Sequence, residues 1–185
     1  SSITTGTFSG PLTFGETTLS NDGFHNIFIT KVDSNGNVLW AKQAGGARSD
    51  TSKGISTLSD GSSIITGHFE GSISFGDFTL TDPEYNIKSI YIAKLDSNGT
   101  FLWATSTTRV NGYAIANDIT TLSDGSSIIT GQFTGTYKFG DTTLTSPSGY
   151  TDQVFVAKID SNGNFLWATQ AGGTSSDHSE SVSTF

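Results

Sequence analysis

The feature that most restricts this chain is that it says nearly the same thing three times. Trp40, Trp103 and Trp167 stand 63 and 64 residues apart. The text around them agrees: DSNGNVLWAKQAGG from Asp33, DSNGTFLWATSTT from Asp96 and DSNGNFLWATQAGG from Asp160. A second block recurs as TGTFSGPLTFGETTL from Thr5, TGHFEGSISFGDFTL from Thr66 and TGQFTGTYKFGDTTL from Thr130. A third, ISTLSDGSSIITG from Ile55, returns almost unchanged as ITTLSDGSSIITG from Ile119. Such a period means one supersecondary unit built three times, each burying its apolar side against a neighbour because it cannot do so alone.

Within a unit the apolar residues are β-branched or aromatic, come in short runs, and are bounded by turn residues. No 3.6-residue pattern is sustained, so strands rather than helices are expected. In the third copy, strand A is expected over Ala114–Leu122, B over Ser127–Phe133, C over Val154–Asp160 and D over Phe165–Thr169. The turns SDG (Ser123–Gly125) and SNG (Ser161–Gly163) join A to B and C to D, since Gly, Asn and Asp tolerate positive φ. Between B and C, the insert G-x-x-x-F-G-x-x-T-L should add a short strand or hairpin on the outer side. Phe8, Phe69 and Phe133, with Phe14, Phe75 and Phe139, would anchor it. The expected fold class is all-β: β-propeller blades, as three four-stranded repeats of about 62 residues.

The phase of the repeat matters as much as its period. SSITTGTFSG, from Ser1, aligns with strand B text at Ser62, and SVSTF, from Ser181, aligns with strand A text at Gly54. The array therefore divides into strands B–C–D over 1–46, a second blade over about 47–109, a third over about 110–173, and strand A of a further blade over 174–185. Strand A of the first blade would come from an equivalent of 179–185. Three blades fall short of the usual four to eight, and each would have to fill a wedge of about 120°. Closure or continuation by another copy, or by an adjacent segment of a longer chain, is expected. Val182 and Phe185 would then meet a strand B carrying Ser2 and Ile3. Head-to-tail contacts of this kind close into rings or run on as filaments, and native proteins avoid leaving strand edges open. Methionine is absent, at position 1 as elsewhere, so the chain is expected to start after a processing site or inside a longer polypeptide.

Composition removes several function classes. With 17 Asp and Glu against 9 Lys and Arg, the net charge is −8, which repels phosphate backbones and argues against nucleic acid as a partner. No apolar run approaches the ~18 residues of a membrane span, so no membrane insertion is expected. There is no cysteine, hence no disulfide, thiol nucleophile or cysteine-based zinc site. Only 14% of residues are charged, and a polar, neutral surface of this kind is common in extracellular β-proteins.

The blocks SDGSSIITGHFEG, FGDFTL and IYIAKLDSNGTFLWA resemble the secreted bacterial β-propeller repeat proteins, the SBBP type. The resemblance extends over essentially the whole chain and rests on segments that specify blade architecture rather than chemistry. It implies an extracellular or cell-surface bacterial module, structural or adhesive, and it carries over no catalytic residue.

Candidate sites are few. The turns at Asp33, Asp96 and Asp160 have one Asp and one Asn each, too few carboxylates for a calcium loop, and read as hairpin turns. The SDG turns at Asp60 and Asp124 read likewise. His25, His68 and His178 sit at non-equivalent places without ligand spacing and are expected at the surface. No G-x-S-x-G elbow or shared Ser/His/Asp set occurs, and nothing marks a carboxylate pair for glycoside hydrolysis. No metal or other cofactor is expected. The three tryptophans suit packing between blades, with sugar stacking as the rival role. The copies differ most in the loops carrying Tyr85, Arg109, Tyr113 and Tyr150, which are the possible ligand contacts.

The expected function is a non-catalytic extracellular structural or adhesive β-propeller module that assembles through its open strand ends with other copies of itself. The alternative is a carbohydrate-binding, lectin-like propeller with glycan sites between blades. A third possibility, an enzyme on the same scaffold, would need a carboxylate cluster near the ring axis.

Overall fold

A computed structural model describes residues 1–185 apart from Asp22, Tyr85 and Phe185. Unit I holds β1 (Ser2–Phe8), β2 (Leu12–Phe14), β3 (Thr17–Leu19), β4 (Asn26–Val32) and β5 (Val38–Ala44). Unit II holds β6 (Thr51–Thr57), β7 (Ser63–Glu70), β8 (Ser72–Phe75), β9 (Phe78–Thr81), β10 (Lys88–Leu95) and β11 (Phe101–Ser106). After β12 (Thr108–Asn111), unit III holds β13 (Ala114–Thr121), β14 (Ser127–Phe133), β15 (Thr136–Phe139), β16 (Thr142–Thr145), β17 (Gln153–Ile159) and β18 (Phe165–Ala171).

The main sheets run in the order β6-β7-β10-β11 in unit II and β13-β14-β17-β18 in unit III, with a three-stranded β1-β4-β5 in unit I. Neighbouring strands are antiparallel throughout. Among the described residues the sheets remain separate, and none closes on itself. Strand D of unit III runs to Ala171, past the expected Thr169, because Gln170 and Ala171 still find partners in Phe155 and Val154. The inserts are hairpins, β2-β3, β8-β9 and β15-β16.

The core lies between the sheets. Alternate residues of a strand point to opposite faces, and β10 shows the result. Ile90 and Ile92 join the cluster shared with Ala116, Phe155 and Ala157 of unit III. Tyr91, Ala93 and Leu95 join the cluster shared with Ile27 and Ile29 of unit I. A sheet buried on both faces needs unbroken apolar text, which is why β10 reads IYIA without alternation. Each fully buried Ile or Leu contributes about 1.5–3 kcal/mol. Hairpin aromatics complete the packing: Phe75 lies 5.0 Å from Tyr91 and 5.4 Å from Phe101, and Phe139 lies 5.0 Å from Phe155 and 5.5 Å from Phe165.

His68 departs from its expected surface position. It is on β7 as the text placed it, but 7% exposed, with Nδ1 unpartnered. It lies in the central unit, where neighbours cover both faces of the sheet.

Candidate functional site: the seams between units and the loops beside them

Each seam is latched by a tryptophan on a turn. Asp33 Oδ1 accepts hydrogen bonds from the backbone N–H of Asn35 and Asn37, both at 2.8 Å, while Oδ2 accepts from Asn37 Nδ2. Asp160 repeats the arrangement with Asn162 and Asn164, and Asp96 with the N–H of Asn98 and Thr100. The bond from the Asn37 side chain, followed by backbone bonds, holds the Asp33 carboxyl below its usual range, and the Asn164 side chain does the same for Asp160. These carboxylates stiffen their own turns.

The stiffened turn is a socket. Trp40 of unit I donates Nε1–H to the Ser97 carbonyl of unit II at 3.1 Å, and Trp103 of unit II donates to the Ser161 carbonyl of unit III at 3.1 Å. Lys31 Nζ also reaches the Ser97 carbonyl. The indoles lie on Gly99 and Gly163, where an added Cβ would come within 3.0 and 2.9 Å of the ring. Both glycines have positive φ, 81° and 87°, so backbone conformation and the ring's approach each require glycine there. Trp40 and Trp103 are seam elements, as the repetition suggested.

Strand A of one unit also lies on strand A of the unit before. Ser56 Oγ shares a hydrogen bond with Thr121 Oγ1 at 2.9 Å, and Thr121 Oγ1 donates to the Thr57 carbonyl. Residues 174–184 form no strand, yet they lie on unit III in the same manner. Thr184 Oγ1 donates to the Thr121 carbonyl, Thr120 Oγ1 pairs with Thr184 Oγ1, and Val182 N–H donates to Asp118 Oδ2 at 2.9 Å. Ser2 and Ile3 sit on β1 opposite Val32 and Lys31, and β1 is paired on that side alone. The expected assembly residue Phe185 and the loop residue Tyr85 lie outside the described residues.

The segments after strand D cross to the next unit's hairpin. Between units I and II this is one bridge, Gly45 with Ser74. Between units II and III it is the strand β12, paired with β15. Arg109, on β12, is nearly buried and paired with Asp82 at 3.0 and 3.2 Å, with Glu84 beside it. Burial would raise the Asp82 carboxyl, but bonds from Arg109 and Ser89 outweigh it and keep it low.

Tyr113 and Tyr150 meet at one cavity of about 480 Å³, with Asn111 and Thr134. The Tyr113 hydroxyl donates to Asp152, and burial followed by that carboxylate pushes it up to about 12. Tyr150 is 92% exposed.

The text did not point to Asp50, the acid of the motif AGGARSD. It is fully buried, Oδ2 accepts from the Gly46 N–H at 2.8 Å, and Oδ1 has no partner. Burial pushes its carboxyl up to about 7, with Glu70's charge adding and the N–H groups of Gly46 and Glu70 opposing. The same bond recurs from the Gly173 N–H to Asp177 Oδ2, where the acid is only half-buried. The matching motifs AGGARSD and AGGTSSD were the signal that could have found it.

No protein-family model matches the chain. It is similar to a protein of Acanthamoeba polyphaga mimivirus described as "Uncharacterized WD repeat-containing protein L264", with 27% identity over 182 residues. The match covers 90% of this chain and 13% of that protein.

Proposed function

We propose that this chain is a non-catalytic β-propeller module that serves as a structural or adhesive scaffold outside the cell and assembles with further units of its own repeat, as a ring or a filament. The observation that carries the reading is the seam: two successive seams use the same tryptophan and the same turn, and the strand-A contact of the second is repeated where residues 174–184 lie on unit III. A surface pair that works twice in one chain is built for serial use. The similarity to a WD repeat-containing protein supports the propeller reading, since a WD blade is a four-stranded sheet. The longer period here accommodates the hairpin that each unit adds. The extracellular placement rests on the low charge and the resemblance to secreted propeller repeats.

Native mass and electron microscopy of the purified chain test the proposal. Rings or filaments of discrete width are expected, and a compact, stable monomer at all concentrations would overturn it. The carbohydrate-binding alternative has one observation in its favour, the exposed Tyr150 beside the Tyr113 cavity. Glycan binding that is lost in Tyr150→Ala would establish it.

A further inference from the structure

Half of a latch is unused at each face of the array. Trp167, the third of the series, is 41% exposed. Gly36, which matches Gly99 and Gly163, has φ of 85° and nothing within 4 Å of where its Cβ would be. So the socket of unit I is formed and empty, and the plug of unit III is formed and free.

Two further features accompany them. Ile128, Val154 and Val156 on the outer face of unit III remain half-exposed, whereas their counterparts Ile64, Ile90 and Ile92 in unit II are buried at the second seam. Gly46 packs onto the Ser72 carbonyl across the first seam, while its counterpart Gly173 has nothing within 4 Å.

We infer that the outer face of unit III docks unit I of a second copy of this chain, with Trp167 seated on the Gly36 turn and donating Nε1–H to the Ser34 carbonyl. This rests on the assembly reading above and specifies its contacts. Internal pairing fixes the register. Ile55 faces Ile65, and Ile119 faces Ile129, so Val182 faces Thr4 and Thr184 faces Ser2 of the partner copy. A second copy is the occupant because its unit I carries the Asp33 turn with Gly36 and the open edge of β1 at the spacing that the internal seams use, and residues 174–184 supply the strand A that unit I lacks. The partner edge of β1 also gains the strand it lacks, as strand edges require.

The absence of cysteine makes the test clean. Val182→Cys and Thr4→Cys, mixed and oxidised, should give a disulfide-linked pair, at least tenfold more than Val182→Cys with Ser2→Cys. In sedimentation, Trp167→Ala should weaken self-association at least tenfold, as removal of a central aromatic anchor does. Trp167→Phe, which keeps the packing and loses the N–H, should fall between. Wild-type association by Trp167→Ala, or cross-linking no better than the out-of-register pair, overturns the latch and leaves the assembly reading intact. A monomer that never associates and never cross-links overturns both. Cross-linking of a Thr4→Cys/Val182→Cys double variant within single chains, at monomer mass, overturns the second copy as occupant.

Discussion

The two internal seams share a latch and differ in almost everything around it. In the first, between units I and II, the connection to the next hairpin is a single bridge, and three buried polar atoms lack partners: Asn26 Oδ1, Asp50 Oδ1 and Tyr91 OH. In the second, the residues at the matching repeat positions are satisfied. Ser89 donates to Asp82, Tyr113 donates to Asp152, and Phe155 has no polar atom. β12 replaces the bridge with a ladder, and Tyr137 OH reaches the Lys88 carbonyl. An orphaned buried polar group costs about 1–3 kcal/mol, but unit II also leaves His68 Nδ1 and Thr107 Oγ1 without partners. It is therefore the β12 ladder, the Tyr137 bond and the Arg109–Asp82 pair that make the second seam the firmer one. The repeat fixes where units meet, and the unlike loops set how firmly.

The largest effect should come from the second seam's ion pair. Arg109→Ala leaves the nearly buried Asp82 alone and should destabilise by about 3–5 kcal/mol, while Arg109→Leu with Asp82→Leu should restore most of it. Denaturant unfolding checks both, and a loss under 1 kcal/mol would mean that β12 is held by its ladder alone. The shared latch comes next. Trp40→Ala and Trp103→Ala should each cost about 2–3 kcal/mol, below the range for a fully buried tryptophan because both side chains are half-buried, and within about 1 kcal/mol of one another. Strongly unequal losses would break the claim that the latch is common to both seams.

The third prediction concerns pH and unit II. Asp50 has an ordinary value of 3.8 raised to about 7, so the folded form holds the extra proton and stability falls as pH rises through that window. His68 has an ordinary value of 6.5 lowered to about 3, so the unfolded form holds the proton and stability rises with pH between those values. The opposed slopes, each up to about 1.4 kcal/mol per pH unit, largely cancel in the wild type between pH 4 and 6.5. His68→Gln, the residue found at Gln132, should unmask a stability that falls with pH, and Asp50→Asn one that rises. Chemical denaturation at pH 4.5 and 6.5 reads both slopes, and parallel curves for the two variants would refute the assignment. The smallest effect is a gain. Tyr91→Phe deletes an unpartnered buried hydroxyl and should stabilise by about 1 kcal/mol, visible as a raised Tm.

The strands, turns and hairpin inserts were legible in the text because they are local: alternation, β-branched residues and Asn-Gly turns act within a few positions. The seam role of the tryptophans was legible through repetition. What each tryptophan touches was not, because Ser97 lies 57 residues from Trp40 and only the stacking of units brings them together. The burial of His68 was missed for a related reason. Unit II is covered on both faces, and strand text alone does not say which copy is central. The Arg109 pairing with Asp82 likewise joins two loops that differ between copies, where repetition offers no guide.

The Asp-held turn has a consequence for how such chains change over generations. Since each unit brings one plug and one socket, duplicating a unit in phase adds both at once and leaves every existing contact intact. Deleting one keeps the tryptophan and turn at the new joint but gives up the loop contacts particular to the lost seam. Array length can therefore drift by recombination between near-identical blocks, while the crossing loops diverge one joint at a time.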